Sequence, residues 1–400
     1  MFRPCSLAAF GMVTALGSSV DAIWPRILAG DQSGLRGRTD LVPGRSLLVA
    51  EVAEEPPPCP PALARRGCRS NALSLAAFRQ IEPQVHRIVA EVGAERVAIV
   101  MGSSTSGIGA AETALAVRAR TGSLPEGFDY AQVEFGGAAE FLADYAGIRG
   151  PSYTISTACS SGARAIESGR ALLELGACDA VVAGATDSLC RLTAAGFSAL
   201  QAVSEAPSNP FSLNRNGLNL GEGAAVFLLT RDPGGVQLLG AGVSSDAYHM
   251  SAPDPEGTGA EFAMRKALSE AGVAADEVCY VNLHGTGTVL NDAMEARVVS
   301  RILGDRVLCS STKPLVGHTL GASGAIELGI CWLLLTRRSG DTLDLPPHRW
   351  DGVPDPAMPS LRLVEPGTSM RAPRRVIVLS NSFGFGGSNA TLVVGRREGS

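Results

Sequence analysis

Along the chain, short runs of consecutive apolar residues alternate with longer stretches in which apolar positions recur every three or four residues. The runs Val97–Gly102, Ser152–Thr157, Ala180–Ala185, Ala225–Thr230, Cys279–Leu283, Val307–Ser310, Arg375–Leu379 and Ala390–Val394 predict buried strands. The helical period predicts helices over Asn71–Glu91, Ser160–Leu175, Ala260–Ala271, Asp292–Leu303 and Ala322–Arg337. The opening segment MFRPCSLAAFGMVTALG reads as a strand entering a glycine turn, because Gly11 and Gly17 interrupt what could pass for a leader's apolar run. Alternation of the two element types implies an α/β layered fold. Proline-rich stretches at Glu54–Pro61 and Leu345–Pro359 read as surface loops. A composition shift near Asp232–Gly235 marks a boundary between two halves, 1–235 and 236–400, each with a similar strand–helix series.

Composition narrows the class. Hydrophobic residues make up 45% and charged residues 18% of 400 positions, enough for a large core and against global disorder. A net charge of -5 argues against a general nucleic-acid binder. No apolar stretch is long enough for a membrane span, which takes roughly 18 residues or more. The nine cysteines are scattered without a CxxC pair, and several lie inside apolar runs. That suits reduced thiols in the cytoplasm, not a disulfide framework or a zinc site. Of the 34 basic residues only Lys266 and Lys313 are lysines, so each lysine raises the question of what arginine could not do there.

Three segments carry chemistry. In SYTISTACSSGARAIE, Cys159 falls where a β-rich run gives way to a helix. Free N–H groups and the helix dipole there are expected to lower its pKa, though a lone cysteine in such a place is more often a small packing residue. His284 ends the apolar run CYVNLHGTGT, and His318 lies in SSTKPLVGHTLGASGAIE, again between strand and helix. Strand C-terminal ends are where α/β sheets place ligands, yet either histidine alone could be a turn residue. Glu327 interrupts an apolar helical pattern and needs a partner if buried; the compact cation of Lys313 is the natural one. Lys266 sits on a polar helix face. The loop SNSFGFGGSNA links two apolar runs and fits either a hairpin turn or a set of amides that approach a ligand closely. Neither it nor HGTGT has the context of a phosphate- or dinucleotide-binding loop.

Together, TACSSGA, LHGTGT, STKPLVGHTLGASGA and NSFGFGGSNA resemble the β-ketoacyl-acyl carrier protein synthase family in its elongating Cys-His-His class, in register over nearly the whole chain. The resemblance implies the thiolase fold, two similar α/β halves in a five-layer αβαβα arrangement. It implies decarboxylative Claisen condensation of an acyl thioester with malonyl-acyl carrier protein, and a dimer, either of two copies or with a chain-length-factor-like subunit. Cys159 would carry the acyl group. His284 and His318 would bind the malonyl thioester and assist loss of CO₂, with Lys313 and its partner Glu327 behind them. The amides of Cys159 and Phe385 would form an oxyanion hole, and Phe385 would gate the acyl pocket. Thr286, Thr288 and Phe383 would contact substrate, the threonines along the pantetheine arm, and Ile108 would line the acyl tunnel. Arg65, Arg66 and Arg69 would form a basic patch for the acidic carrier protein. No metal or redox cofactor is implied, since the substrate rides on phosphopantetheine. A thiolase would need a second cysteine near FGFGG, an initiating synthase would have Asn in place of His318, and a chain-length subunit would lack Cys159. Sparse basic residues over Val203–Asn219 and a slightly short N-terminal half leave the pathway open between fatty-acid and polyketide or aryl-polyene synthesis.

Overall fold

A computed structural model of the protein describes residues 4–232, 234–338 and 340–397. The N-terminal half runs β1 (Cys5–Val13), α1 (Val20–Leu28), β2 (Leu35–Arg38), β3 (Leu47–Ala50), α2 (Arg69–Phe78), α3 (Glu82–Val92), β4 (Val97–Gly102), α4 (Ile108–Thr121), α5 (Gly137–Ala146), β5 (Ser152–Ile155), α6 (Ser161–Glu174), β6 (Ala180–Asp187), α7 (Arg191–Ala199) and β7 (Gly223–Thr230). The C-terminal half runs β8 (Gln237–Ser245), α8 (Thr258–Ala271), β9 (Val278–Asn282), α9 (Val289–Leu303), β10 (Leu308–Ser310), α10 (Lys313–Val316), α11 (Ser323–Thr336), β11 (Thr342–Asp344), β12 (Arg362–Leu363), β13 (Ser369–Arg371), β14 (Arg375–Gly384) and β15 (Ser388–Arg397).

The main strands follow the order β5-β4-β6-β7-β1-β8-β15-β14-β9-β10-β12. The first five come from one half and the rest from the other. They meet where β1 pairs with β8 through only two residue pairs, Cys5–Leu238 and Ser6–Gln237. Strand alternation separates the layers. Along β4, Ala98 and Val100 face a central core that holds α6 and α11, while Val97, Ile99 and Met101 face α2 and α5. On the other side, Val376 and Val378 of β14 face the central helices, while Ile377 and Leu379 face α8 and α9. The result is helix, sheet, helix, sheet, helix, the thiolase arrangement. With both faces of each sheet covered, the strands read as near-continuous apolar runs. The two central helices approach closely because Gly162 and Gly324 carry no side chain; a Cβ on Gly162 would lie 2.7 Å from the Ala325 nitrogen.

The helix expected over Asn71–Glu91 is two helices, α2 and α3, broken at Arg79–Ile81. Pro83 explains the break: it cannot donate an N–H, and it disfavours helical backbone just before it. Pro233, within the expected boundary segment, and residues 1–3 of the opening segment lie outside the described residues. Among the described residues no helix is long and apolar enough to cross a membrane.

Candidate active site

Cys159 sits in a tight turn between β5 and α6, and the turn is strained: Ala158 holds φ +52°, the left-handed region. Hydroxyls over-determine it. The Ser161 hydroxyl accepts from Thr157 N–H at 2.9 Å and donates to the Ala158 carbonyl at 2.6 Å, which also accepts from Ser104 Oγ at 3.1 Å. Strain of this kind, on the order of 1–3 kcal/mol, persists only where surroundings enforce it.

The two histidines come from the other half. His284 follows β9, and its N–H and that of Gly285 both donate to the buried Glu295 carboxylate, at 2.8 and 2.7 Å. His318 follows α10; its N–H donates to the Asn219 carbonyl at 2.7 Å. Its Nε2 lies 3.1 Å from Cys159 Sγ, and the two imidazoles meet edge-on with centroids 5.5 Å apart. Behind them Lys313, 1% exposed, contacts the Glu327 carboxylate and the His284 carbonyl, and its Nζ lies 3.3 Å from His284 Nδ1.

These contacts fix the tautomers. An ammonium only donates, so His284 Nδ1 accepts. His318 Nδ1 accepts from Leu320 N–H at 3.2 Å. Both protons therefore sit on Nε2, which in His318 is the nitrogen facing Cys159. Burial, then Lys313, holds the His284 and His318 pKa values well below the usual imidazole range, His318 adding its own push on His284. Both rings are neutral N–H donors near pH 7. Burial pushes Glu327 up to about 7, with Lys313 pulling it down, and its Oε2 has no hydrogen-bond partner.

The lowered pKa expected for Cys159 is not what the structure gives. Burial pushes its thiol up to about 11, outweighing the Phe385 N–H and Lys313. The helix N-terminus lies in a site 4% exposed, where loss of water costs the thiolate more than the dipole returns. Phe385 N–H nevertheless points at Cys159. The glycine loop is a hairpin between β14 and β15 and also an amide-bearing approach: a Cβ on Gly384 would lie 3.1 Å from the Cys159 nitrogen and the Thr157 oxygen.

A cavity of ≈370 Å³ opens onto this cluster, and Cys159, His284, His318, Thr286, Thr288, Phe383 and Phe385 all line it. Phe385 stacks on Phe197 of α7 at 5.3 Å, and the hydroxyls of Thr286 and Thr288 lie 2.8 Å apart. Lys313 and Glu327 stand one layer behind the wall. Ile108 does not line the cavity. It opens α4, which packs on α7, the helix that supplies Phe197 to the cavity wall.

The three arginines do not form a free patch. Arg69 is spent on Glu222, 1% exposed, through Nε at 2.9 Å and Nη2 at 2.6 Å. Arg66 pairs with Glu140 at 2.6 Å and with Asp144 at 3.5 Å. Arg65 alone extends into solvent, paired with Asp129 at 2.7 Å. A buried carboxylate demands its cation more strongly than solvent does, which is why Arg69 turns inward.

Sequence reading missed the supports. Asp187, buried at the end of β6, accepts from Ser103 and Thr105 hydroxyls, from Ser104 and Thr105 N–H, and from Ala322 N–H at 3.2 Å. It thereby ties the loop after β4 to the start of α11. Glu295 clamps the HGTGT turn. Both left a signal: an acid closing or interrupting an apolar pattern, the reasoning that picked out Glu327.

The family description "Beta-ketoacyl synthase, N-terminal domain" matches residues 84–233, and "Beta-ketoacyl synthase, C-terminal domain" matches residues 236–340. The 3-oxoacyl-acyl-carrier-protein synthase 2 of Rhizobium meliloti is 38% identical over 280 residues, 63% of this chain and 62% of that protein. The enzyme of the same name from Coxiella burnetii is 31% identical over 98% of this chain and 99% of its own. A chain of the solved complex between the ketosynthase ApeO and its chain length factor ApeC, from Xenorhabdus doucetiae, superposes with a TM-score of 0.93 at 43% identity, covering 98% of both chains.

Proposed function

The chain belongs to the beta-ketoacyl synthase family, and on that premise we propose that it performs decarboxylative Claisen condensation of an acyl group held on Cys159 with a malonyl unit, both delivered by acyl carrier protein. The observation that carries this reading is the pair of imidazole Nε2–H donors aimed at the nucleophile's cavity. Such donors suit a reaction that develops negative charge on a thioester oxygen.

Cys159 sulfur attacks the acyl thioester, the carrier's thiol leaves with the proton, and acyl-Cys159 remains. The C–C bond to the malonyl carboxylate then breaks. CO₂ departs and its electron pair stays as the thioester enolate, whose oxygen accepts from His284 and His318. The enolate carbon attacks the acyl-Cys159 carbonyl, and the amides of Cys159 and Phe385 take the oxyanion. Collapse expels the Cys159 thiolate, which takes up a solvent proton to restore the thiol, and leaves a β-ketoacyl thioester on the carrier. Lys313, anchored by Glu327, holds the histidine tautomer. Thr286 and Thr288 bond the pantetheine arm, and Phe383 and Phe385 shape the acyl pocket. No metal or redox group enters these steps. The nucleophile belongs to half 1–235 and the histidines to half 236–400.

The protein works in the cytoplasm as a dimer, of two copies or with a chain-length-factor-like subunit. Greater identity to a chain of a ketosynthase–chain length factor complex than to the full-length-matching 3-oxoacyl-acyl-carrier-protein synthase 2 favours the second arrangement. It also favours a polyketide or aryl-polyene type product over a primary fatty acid.

The test separates the half-reactions. Cys159→Gln removes the nucleophile and leaves both histidines. With labelled malonyl-carrier protein it should release CO₂ and make no condensation product. Adding His284→Ala should abolish the CO₂ release. Equal release from both variants would overturn the assignment, as would the absence of an acyl adduct on Cys159 in intact-mass analysis of the wild type.

A further inference from the structure

Cys159 Sγ and one ring nitrogen each of His284 and His318 lie within 4.8 Å of one another, and all three residues are buried. A thiolate and two imidazoles converging on a cavity, with a fourth position open, is a donor set that zinc and cobalt(II) favour. By ligand identity and spacing alone, this cluster would be taken for a metal site.

What stands behind the ligands says otherwise. In metal sites a ligating histidine donates its second N–H to a carboxylate or carbonyl, which leaves the metal-facing nitrogen with its lone pair free. Here that arrangement is inverted twice. Behind His284, Lys313 Nζ presents only donors, 3.3 Å from Nδ1. Behind His318, the Leu320 N–H donates to Nδ1 at 3.2 Å, with the Ser323 hydroxyl 2.9 Å away. Each ring consequently carries its proton on the cavity side.

We infer that Lys313 acts as a polarity lock: it keeps the Cys159–His284–His318 cluster a hydrogen-bond-donor site and bars a soft divalent cation that the same three side chains would otherwise ligate. Binding a cation through both imidazoles would move each proton to Nδ1. At His284 that sets an N–H against an ammonium, with no acceptor between them, and it places a divalent charge beside a buried monovalent one. At His318 it sets Nδ1–H against the Leu320 N–H, although the Ser323 hydroxyl can turn to accept. His284 is therefore the stronger barrier, and Lys313 is the part of it that a substitution can remove. The Glu327 carboxylate and the His284 carbonyl hold Lys313 in that place. The inference concerns the ground-state protein and stands independently of the condensation chemistry.

Cobalt(II) is the probe, because thiolate ligation gives a near-ultraviolet charge-transfer band and tetrahedral sites give visible bands. The full-length wild type, kept reduced with a phosphine, should show no cobalt band that Cys159→Ala removes. Lys313→Gln drops the charge, and its amide oxygen can accept a proton from His284 Nδ1. It should gain one equivalent of Cys159-dependent cobalt, bound at least about tenfold tighter than any wild-type binding, and zinc should displace it. A wild type that binds as tightly as Lys313→Gln would overturn the lock, as would a folded Lys313→Gln that gains nothing. Should Lys313→Gln fail to fold, nitrogen NMR of ¹⁵N-histidine wild type decides. Nε2 protonated and Nδ1 bare in both rings supports the lock; a proton on Nδ1 of His284 overturns it.

Discussion

At the scale of single residues, burial sets the chemistry more than local backbone does. Cys159 has the helix N-terminus that favours a thiolate, yet its pKa rises to about 11 because the site excludes water. The thiolate fraction at neutral pH is then small and grows about tenfold per pH unit. Iodoacetamide labelling of Cys159, followed by peptide mapping, should accelerate about a hundredfold between pH 7 and 9; a rate already flat at pH 7 would mean a preformed thiolate. Glu327 gives a stability prediction of definite sign. Its folded pKa, about 7, lies above the ordinary 4.5. Between those values the folded chain keeps a proton that the unfolded chain releases, so stability falls as pH rises through that window. Glu295, pushed up to about 7, and Asp292, to about 6, act in the same sense, and the depressed histidines His284, His318 and His348 act oppositely below pH 6.5. Glu327→Gln removes one acid from that balance. Relative to wild type, its unfolding free energy should rise from pH 5 to pH 8, by up to about 3 kcal/mol. Denaturant melts at the two pH values check it, and a constant difference would show that Glu327 ionises freely in the fold.

At the scale of elements, the site depends on two loops held at contact distance. The β14–β15 hairpin brings Phe385 N–H to Cys159 only because Gly384 has no side chain. Gly384 has φ -97°, so alanine there meets no backbone strain of its own. Its Cβ would instead press on the Cys159 turn and push the hairpin back. Gly384→Ala should keep its melting temperature within a few degrees and lose about 10²-fold in condensation, the usual cost of one misplaced oxyanion donor. Unchanged kcat would show that the amide has no part in the reaction. The limits of sequence reading appear at this same scale. Cys159, His284, His318, Lys313 and Glu327 were legible because each broke its local pattern: a nucleophile at a strand–helix turn, a histidine at a strand end, a charge in an apolar helix. α4 and α7 were not, because they are mostly exposed and carry weak apolar periodicity, with Ala114 the one buried residue of α4. Arg69 was misread for a different reason. Its partner Glu222 is 153 residues away, and sequence spacing carries no information about such a pair. Ile108 opens α4, which packs behind α7, and no sequence pattern shows that Phe197 of α7 lines this cavity while Ile108 does not.

At the scale of the whole molecule, the exposed face around α4 and α7 is the part that a monomer leaves unexplained. Leu115 of α4 is 56% exposed, Leu192 of α7 is 59% exposed, and Tyr130, in the turn that packs on α4, is 71% exposed. Among the described residues, strand β5 of this half lies at the end of the sheet order, paired on one side only, with β4. An open strand edge invites pairing with another chain, and clustered large apolar side chains mark a contact surface. Both features belong to the half that carries Cys159, so a partner seated here would back onto α4 and α7, the helix that supplies Phe197 to the cavity wall. Acyl-pocket length would then depend on the partner as well as on this chain. Leu115→Glu with Leu192→Glu places two carboxylates on the face, and buried unpaired charge is strongly unfavourable in an interface. Light scattering should show the wild type, alone or with its partner subunit, as a dimer, and the double variant as a monomer at micromolar concentration. The variant should keep its circular dichroism, because both leucines are exposed in the single chain. Its products, read by mass spectrometry, should change in length distribution or fall in yield, since Phe197 and Phe385 lose the layer behind them. A double variant that remains dimeric would move the interface elsewhere, and one that dissociates while making an unchanged product set would show that the acyl pocket is complete within one chain.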